Sequence, residues 1–198
     1  MQKLDLPINK KALRRHLLKM RRSMTVTEWR EKSDRLCTNL QKSLLFNQAQ
    51  TILAYFSLHQ EPDLSVLLTN SQKRWGFPRC VDKSLHWHYW QPEEPLHKGA
   101  YDILEPSPTA KIVDVEEVDL ILVPCVACDV QGFRLGYGGG YYDRLLSHPH
   151  WINKPTIGVV FDFAYFTQLP VEPWDIPLKA VVTDGINSGK PLNLSEIN

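Results

Sequence analysis

A series of short apolar runs, spaced by longer helical or polar stretches, limits the folds open to this chain. Thr51 to Ser57, Trp75 to Arg79, Leu120 to Val123, Pro155 to Phe161 and Ala180 to Thr183 are the runs. Short continuous apolar segments of this kind predict buried strands. His86 to Trp90 alternates instead, as a half-exposed strand should. The intervening segments have helical spacing. Asn9 is placed to cap a helix over residues 10–22, with Leu13, Leu17 and Met20 or Leu18 on one face. Thr25-Val26-Thr27-Glu28 is a capping box, and Trp29, Leu36, Leu40 and Leu44 continue that helix. Asp63 opens another helix to about Lys73, and Tyr141 to Ser147 a further one. Helices alternating with short strands predict an α/β chain with a mainly parallel sheet covered by helices on both faces. Gln91 to Thr109, rich in proline, is expected to be a long surface excursion. Without repeats or a linker, residues 1–198 are expected to form a single domain with a loose tail from about 189.

At 43% hydrophobic and 23% charged residues, the chain is neither disordered nor collagen-like. Its longest apolar run, Leu120 to Cys128, is broken by Pro124 and falls far short of the ~20 residues of a membrane span. The start of the chain has no apolar signal region, so the four cysteines are expected to be reduced, in the cytoplasm. The net charge of +1 hides an asymmetry: residues 1–22 carry +7 and the remainder −6. Lys10, Lys11, Arg14, Arg15, Lys19, Arg21 and Arg22 form the basic part. Such a segment can bind nucleotide phosphates, nucleic acid or lipid, can serve as a transit peptide, or can be a solvated helix face.

The chemistry is concentrated in Asp129, Gly132 and the run from Arg134 to Arg144, in which four of the five residues 136–140 are glycine. Glycines take positive φ readily and can turn successive backbone N–H groups inward, making an anion nest between a strand and a helix. Arg134 and Arg144 flank the nest and can neutralise phosphate oxygens. Asp143 follows, where a carboxylate can hold a metal bridging phosphates. The run is neither a Walker A loop nor a dinucleotide fingerprint, because no Gly-Lys-Ser/Thr follows and the spacing differs.

Pro124, Asp129, Gly132, Arg134-Leu-Gly-x-Gly-x-Gly-Tyr-Tyr-Asp143 and Leu169-Pro-Val-Glu-Pro-Trp-Asp175 resemble the 5-formyltetrahydrofolate cyclo-ligase family. Lys10-x-x-Leu13-Arg14, Phe56-Ser-Leu-His-Gln-Glu61 and Pro78-Arg79 are similar to further family segments, so the likeness spans nearly the whole chain. The resemblance implies a three-layer Rossmann-like domain. It also implies an ATP- and Mg2+-dependent cyclisation of 5-formyltetrahydrofolate to 5,10-methenyltetrahydrofolate, with ADP and phosphate released. By the same resemblance, Lys10, Arg14, Arg134, Leu135, Gly136, Tyr137, Gly138, Gly139, Gly140, Tyr141 and Tyr142 are expected at ATP. Phe56, Glu61, Tyr137, Gly138, Gly139, Gly140 and Tyr141 are expected at the folate, Asp143 and Asp175 at magnesium, and Arg134 as the catalytic cation. Some relatives carry a lysine where this chain has Gly139, so that charge must come from Arg134, Arg144 or the metal. Cys125 and Cys128 also depart from the commoner residues of the family.

Other features have plainer readings. Cys125-Val-Ala-Cys128 follows a buried strand with no second such pair, and is expected to be two packed thiols. His86 and His88 share a strand face without an evident third ligand, and are expected to be exposed or hydrogen-bonded. Asp114 to Asp119 is expected to be a solvated acidic turn, and Trp174 to lie near the site. The rivals are a sugar-phosphate isomerase or acyl-CoA transferase of similar fold, and a nucleic-acid-binding protein using the basic helix. The acidic remainder of the chain opposes the last, so ATP and the folate are the expected partners, with no nucleic acid, membrane or obligate protein partner.

Overall fold

The computed structural model describes residues 9–99 and 102–185; the expected tail lies outside them. Helix α1 spans Lys10–Arg22, with the Asn9 side chain accepting the Ala12 N–H at 2.8 Å. Helix α2 spans Val26–Gln41 behind the full capping box: Thr25 Oγ1 accepts the Glu28 N–H, and Glu28 accepts the Thr25 N–H. Helix α3 is Leu44–Gln48.

Among the described residues there are eleven strands: β1 Thr51–Leu53, β2 Arg74–Val81, β3 Ser84–Tyr89, β4 His97–Lys98, β5 Leu104–Glu105, β6 Leu120–Pro124, β7 Ala127–Asp129, β8 Arg134–Leu135, β9 Thr156–Val159, β10 Tyr165–Phe166 and β11 Ala180–Val182. Helix α4, Tyr141–Ser147, lies between β8 and β9. The main sheet has the order β11-β9-β6-β1-β2-β3. All its pairings are parallel except that of the edge strand β3 with β2.

Successive residues of the central strands face opposite layers, as the period of two requires. Ile52, Leu120, Leu122, Ile157 and Val159 pack with Leu36 and Leu40 of α2 and Phe46 of α3. Leu53, Ile121 and Val123 pack in the opposite cluster with Leu13 and Leu17 of α1 and Leu145 and Leu146 of α4. The three-layer α/β expectation therefore holds. A small sheet of order β10-β7-β8 also lies in the α1 and α4 layer, and nothing in the sequence pattern announced it.

Several local expectations need correction. The strand expected to Ser57 ends at Leu53. The helix expected from Asp63 to Lys73 is a 3-10 turn over Ser65–Thr69, with Asp63 bonding Ser65 instead of starting an α-helix. The excursion from Gln91 holds the β4–β5 pair. The acidic segment is an exposed 3-10 turn over Val115–Glu117, as expected, and it also anchors its neighbours. Asp119 accepts the Gln50 and Thr51 N–H groups, both at 2.9 Å, while Glu117 takes Arg74 and the Tyr89 hydroxyl.

The chain leaves β1 for β2 on one side of the sheet and later places β6, β9 and β11 on the other. The strand order therefore reverses between β1 and β6, and ligands of open α/β sheets bind outside the carboxyl ends of strands at such a point. Asp129 shapes the turn after β7: it is fully buried and accepts the N–H groups of Gln131, Phe133 and Leu169. Gly132 then has φ +88°, and a Cβ there would lie 2.2 Å from the Leu178 carbonyl oxygen. That close approach draws the segment carrying Asp175 alongside β8.

Candidate active site

The loop from Gly136 to Gly140 joins β8 to α4. Gly138 and Gly140 have φ of +101° and +67°. Among the described residues, no backbone N–H of residues 136–140 donates to a protein acceptor. A run of free donors is what an anion nest requires. Three arginines surround it. Arg14 Nε donates to the Gly136 carbonyl at 2.6 Å, and its guanidinium lies 3.7 Å from where a Gly138 Cβ would be. Arg144 donates to the Gly139 carbonyl at 2.9 Å and to the Lys83 carbonyl at 2.7 Å. Arg134 donates to the Ile176 carbonyl at 2.6 Å and to Asp143.

Lys10, one turn before Arg14, is ion-paired with Asp175, whose Oδ2 also accepts the Glu172 N–H at 2.7 Å. The spacing of four does put both cations on one face of α1, but they reach different segments. Lys11, Arg15, Lys19 and Arg22 instead line a groove of about 660 Å3 with Arg14, Leu18 and Ser23. Tyr141 donates to the Asp82 carbonyl at 3.2 Å, so the start of α4 rests on the β2–β3 turn. Leu135 is a core side chain, and Trp174 is 67% exposed.

Beyond β1, Glu61 is 4% exposed. Its carboxylate accepts the Leu58 N–H at 3.0 Å, and its carbonyl accepts the Trp29 indole N–H at 2.7 Å. Burial pushes the Glu61 carboxyl above the usual range, opposed by Arg21, the Leu58 N–H and the Tyr137 hydroxyl. Burial also raises the Tyr137 and Tyr142 hydroxyls, with the Glu61 charge adding to both shifts. Phe56 stacks on Phe77 at 4.0 Å and meets Trp90 edge-on, forming an aromatic wall after β1.

The geometry thus brings Arg14, Arg21, Glu61, Arg134, Asp143, Lys10 and Asp175 around one loop. Arg21 was missed by sequence reasoning, which counted it only among the basic residues. Its signal was positional: it follows Leu13 and Leu17 at spacings of four and so sits on the buried stripe.

Among the described residues, no three His, Cys, Asp or Glu side chains gather as a metal cluster. Magnesium needs no such cage, since one or two carboxylates with substrate phosphates and water suffice. Asp143, 41% exposed and bonded to Arg134 through Oδ1, has the donor type for it; Asp175 has the same type but shares its Oδ2 with Lys10. The four cysteines are free, and Cys125 and Cys128 are packed in the core. His88 is buried against the Ala110 carbonyl, while His86 is exposed.

The model of the 5-formyltetrahydrofolate cyclo-ligase family matches residues 8–184. The chain belongs to that family. The 5-formyltetrahydrofolate cyclo-ligase of Escherichia coli K12 is 32% identical over 171 residues, covering 82% of this chain and 93% of the relative. That of Mycolicibacterium smegmatis is 31% identical over 188 residues, covering 89% and 94%. The solution structure of Aquifex aeolicus 5,10-methenyltetrahydrofolate synthetase superposes with a TM-score of 0.79 at 32% identity, covering 92% of this chain and 95% of that one. The Mycoplasma pneumoniae synthetase, at 20% identity and a TM-score of 0.71, shares the fold. Every segment that carried the resemblance, from Lys10 to Asp175, falls inside the matched family region. Family membership sets aside the sugar-phosphate isomerase and acyl-CoA transferase readings. No helix among the described residues is long and apolar enough to cross a membrane.

Proposed function

We propose that this cyclo-ligase family member converts 5-formyltetrahydrofolate and ATP to 5,10-methenyltetrahydrofolate, ADP and phosphate. The observation that carries the proposal is the run of free N–H groups at 136–140, ringed by arginines and adjoining the buried Glu61. The nest and Arg14 suit the phosphates of ATP, and Glu61 suits the amino and ring N–H groups of a pterin. Phe56, in its aromatic stack, walls the folate side. Leu135 contributes through its place in the sheet, since its side chain is in the core.

In the proposed reaction the formyl oxygen attacks the γ-phosphorus of ATP, and the bond to ADP breaks. The folate's other ring-forming nitrogen then attacks the activated formyl carbon. The carbon–oxygen bond breaks, phosphate leaves, and that nitrogen loses its proton. An amide-like oxygen leaves poorly until it is phosphorylated. The protein's task is therefore orientation and charge stabilisation rather than nucleophilic attack. Arg134 is the proposed cation at the transferred phosphoryl group, using guanidinium donors beyond those held by Ile176 and Asp143. Asp143 and Asp175 would hold Mg2+, which when bound supplies positive charge at the phosphate oxygens. For Asp175 this requires exchanging Lys10 for the metal, which would leave the Lys10 ammonium available to phosphate. The unpaired cysteines favour a cytoplasmic setting.

Absorbance-monitored turnover of 5-formyltetrahydrofolate with and without Mg-ATP tests the proposal. Methenyl product formed only with Mg-ATP is the expected result, and no product under either condition would refute it.

A further inference from the structure

Arg21 is charged, 4% exposed, and third on the Leu13–Leu17–Arg21 stripe by which α1 docks. An apolar side chain would continue that stripe without removing a charge from water, which costs several kcal/mol per buried ion. Packing therefore does not account for an arginine here. No carboxylate lies within ion-pair distance of it among the described residues, so it is not half of a structural salt bridge.

Its guanidinium is committed to two other segments. Nε donates to the His59 carbonyl at 3.1 Å, and Nη2 donates to the Tyr137 hydroxyl, with the guanidinium 5.3 Å from the ring centroid. His59 and Gln60 have φ of +49° and +58°, so the turn leading to Glu61 is held in a conformation that non-glycine residues rarely adopt. Arg21 hydrogen-bonds the carbonyl inside that turn. Tyr137 stands in the middle of the nucleotide loop, with its ring in part exposed and its hydroxyl turned inward. One buried cation thus joins the turn that presents Glu61 to the loop that carries the anion nest.

We propose that Arg21 is a positioning residue for the folate subsite, holding the 57–61 turn and Tyr137 so that Glu61 is presented to the substrate as an ionised acceptor. The inference rests on the folate role given to Glu61 above and adds a residue to it. The groups facing Glu61 are few. Arg21 comes from α1, Tyr55 from the exit of β1, Tyr137 from the glycine loop and Tyr142 from α4, together with the Leu58 N–H. Burial keeps all three tyrosines protonated well beyond neutral pH, which leaves Arg21 as the full charge among them.

The test compares Arg21→Met, which continues the apolar stripe, with Arg21→Lys, which keeps the charge but loses the two-armed donor geometry. For Arg21→Met, KM for 5-formyltetrahydrofolate should rise about ten-fold or more, and by clearly more than KM for ATP. The acidic limb of kcat/KM for the folate should move up by about one pH unit, because Glu61 loses the charge that favours its ionised form. Arg21→Lys should keep the limb near its wild-type position and still raise the folate KM, since one ammonium cannot serve both His59 and Tyr137. A methionine variant with wild-type folate KM and limb overturns the proposal. So does one in which both KM values rise together without a limb shift, which marks a purely structural part. If the methionine variant does not fold, a lysine variant of unchanged folate KM overturns it. A carboxyl 13C titration of the free protein, with Glu61 assigned through Glu61→Gln, reads the same link without turnover: the Glu61 midpoint should rise in Arg21→Met. That measurement separates failure of this inference from failure of the cyclo-ligase reading, which wild-type turnover alone decides.

Discussion

Arg14 Nε donates to the Gly136 carbonyl at 2.6 Å across 122 residues of sequence, fastening the basic helix to the glycine loop. Lys11 and Arg15 line the outer groove, which Arg14 also borders, but have no such contact with the glycine loop. Two neighbouring pairs of cations on one helix therefore have different surroundings, although they carry the same charge.

That difference predicts the effect of removing them. Lys10→Ala with Arg14→Ala should raise the ATP requirement about ten-fold or more, equivalent to roughly 1.4 kcal/mol. Lys11→Ala with Arg15→Ala removes the same net charge and should do much less. Thermal melts must show both variants folded. Equal ATP dependence in the two would reduce α1 to a general electrostatic field.

Asp143→Asn and Asp175→Asn should each impair Mg2+-dependent turnover while the fold persists. Each carboxylate touches one cation of the protein, Arg134 for Asp143 and Lys10 for Asp175. Turnover titrated with magnesium checks this. Unchanged activity and magnesium dependence in both variants would remove them from the metal site.

Glu61→Gln should weaken folate binding by roughly 1.5–3 kcal/mol, because a charge-assisted acceptor becomes a neutral amide, and should spare ATP. Separate titrations of the two ligands decide it. Stability should move the other way. Burial raises the folded-state Glu61 carboxyl above its unfolded value, so keeping it ionised costs stability once pH exceeds the unfolded value. The glutamine variant should melt at or above the wild-type temperature at pH 8, with its advantage shrinking as pH falls into the carboxylate range.

Gly132→Ala should lower folding stability by about 2 kcal/mol or more, measured by denaturant unfolding, since φ is +88° and the added Cβ meets the Leu178 carbonyl. A neutral result would mean that the contact between β8 and the segment carrying Asp175 is loose.

Thiol labelling provides an independent check on the core. Cys80, half-buried, should react first in the native protein. Cys37, its thiol pushed up to about 12 by burial, and the packed Cys125 and Cys128 should react mainly after unfolding. Fast native-state oxidation of Cys125 with Cys128 would restore a redox reading of that pair.

Local signals were sufficient where the deciding partners are close in sequence. Asn9, the Thr25–Glu28 box and the apolar runs at β1, β6, β9 and β11 announced their elements, because a cap and a period of two or 3.6 are short-range properties. The glycines at 136–140 likewise marked a turn with positive φ, found at Gly138 and Gly140, since positive φ is a property of single residues. Where a segment's fate depended on distant partners, the pattern misled. Asp63 and its followers have helical spacing, but packing of Leu64 and Leu67 against the sheet gives only a 3-10 turn. Asp119 is a surface acid, as its surroundings in sequence suggest, but nothing local shows that it accepts the Gln50 and Thr51 N–H groups.

The site divides in the same way. Residue types and their order were written in the chain, and family resemblance attached roles to Glu61, Arg134, Asp143 and Asp175. Only the tertiary structure decided which polar groups meet: Lys10 with Asp175, Arg134 with Asp143, and Arg21 with Tyr137. The first and last of these pairs are separated by 165 and 116 residues, so no local periodicity specifies them. They follow from the burial of Leu13 and Leu17, which docks α1 over the sheet and carries Arg21 inward with them. Hydrophobic burial, which is blind to charge, thereby determines where the charges of α1 are placed.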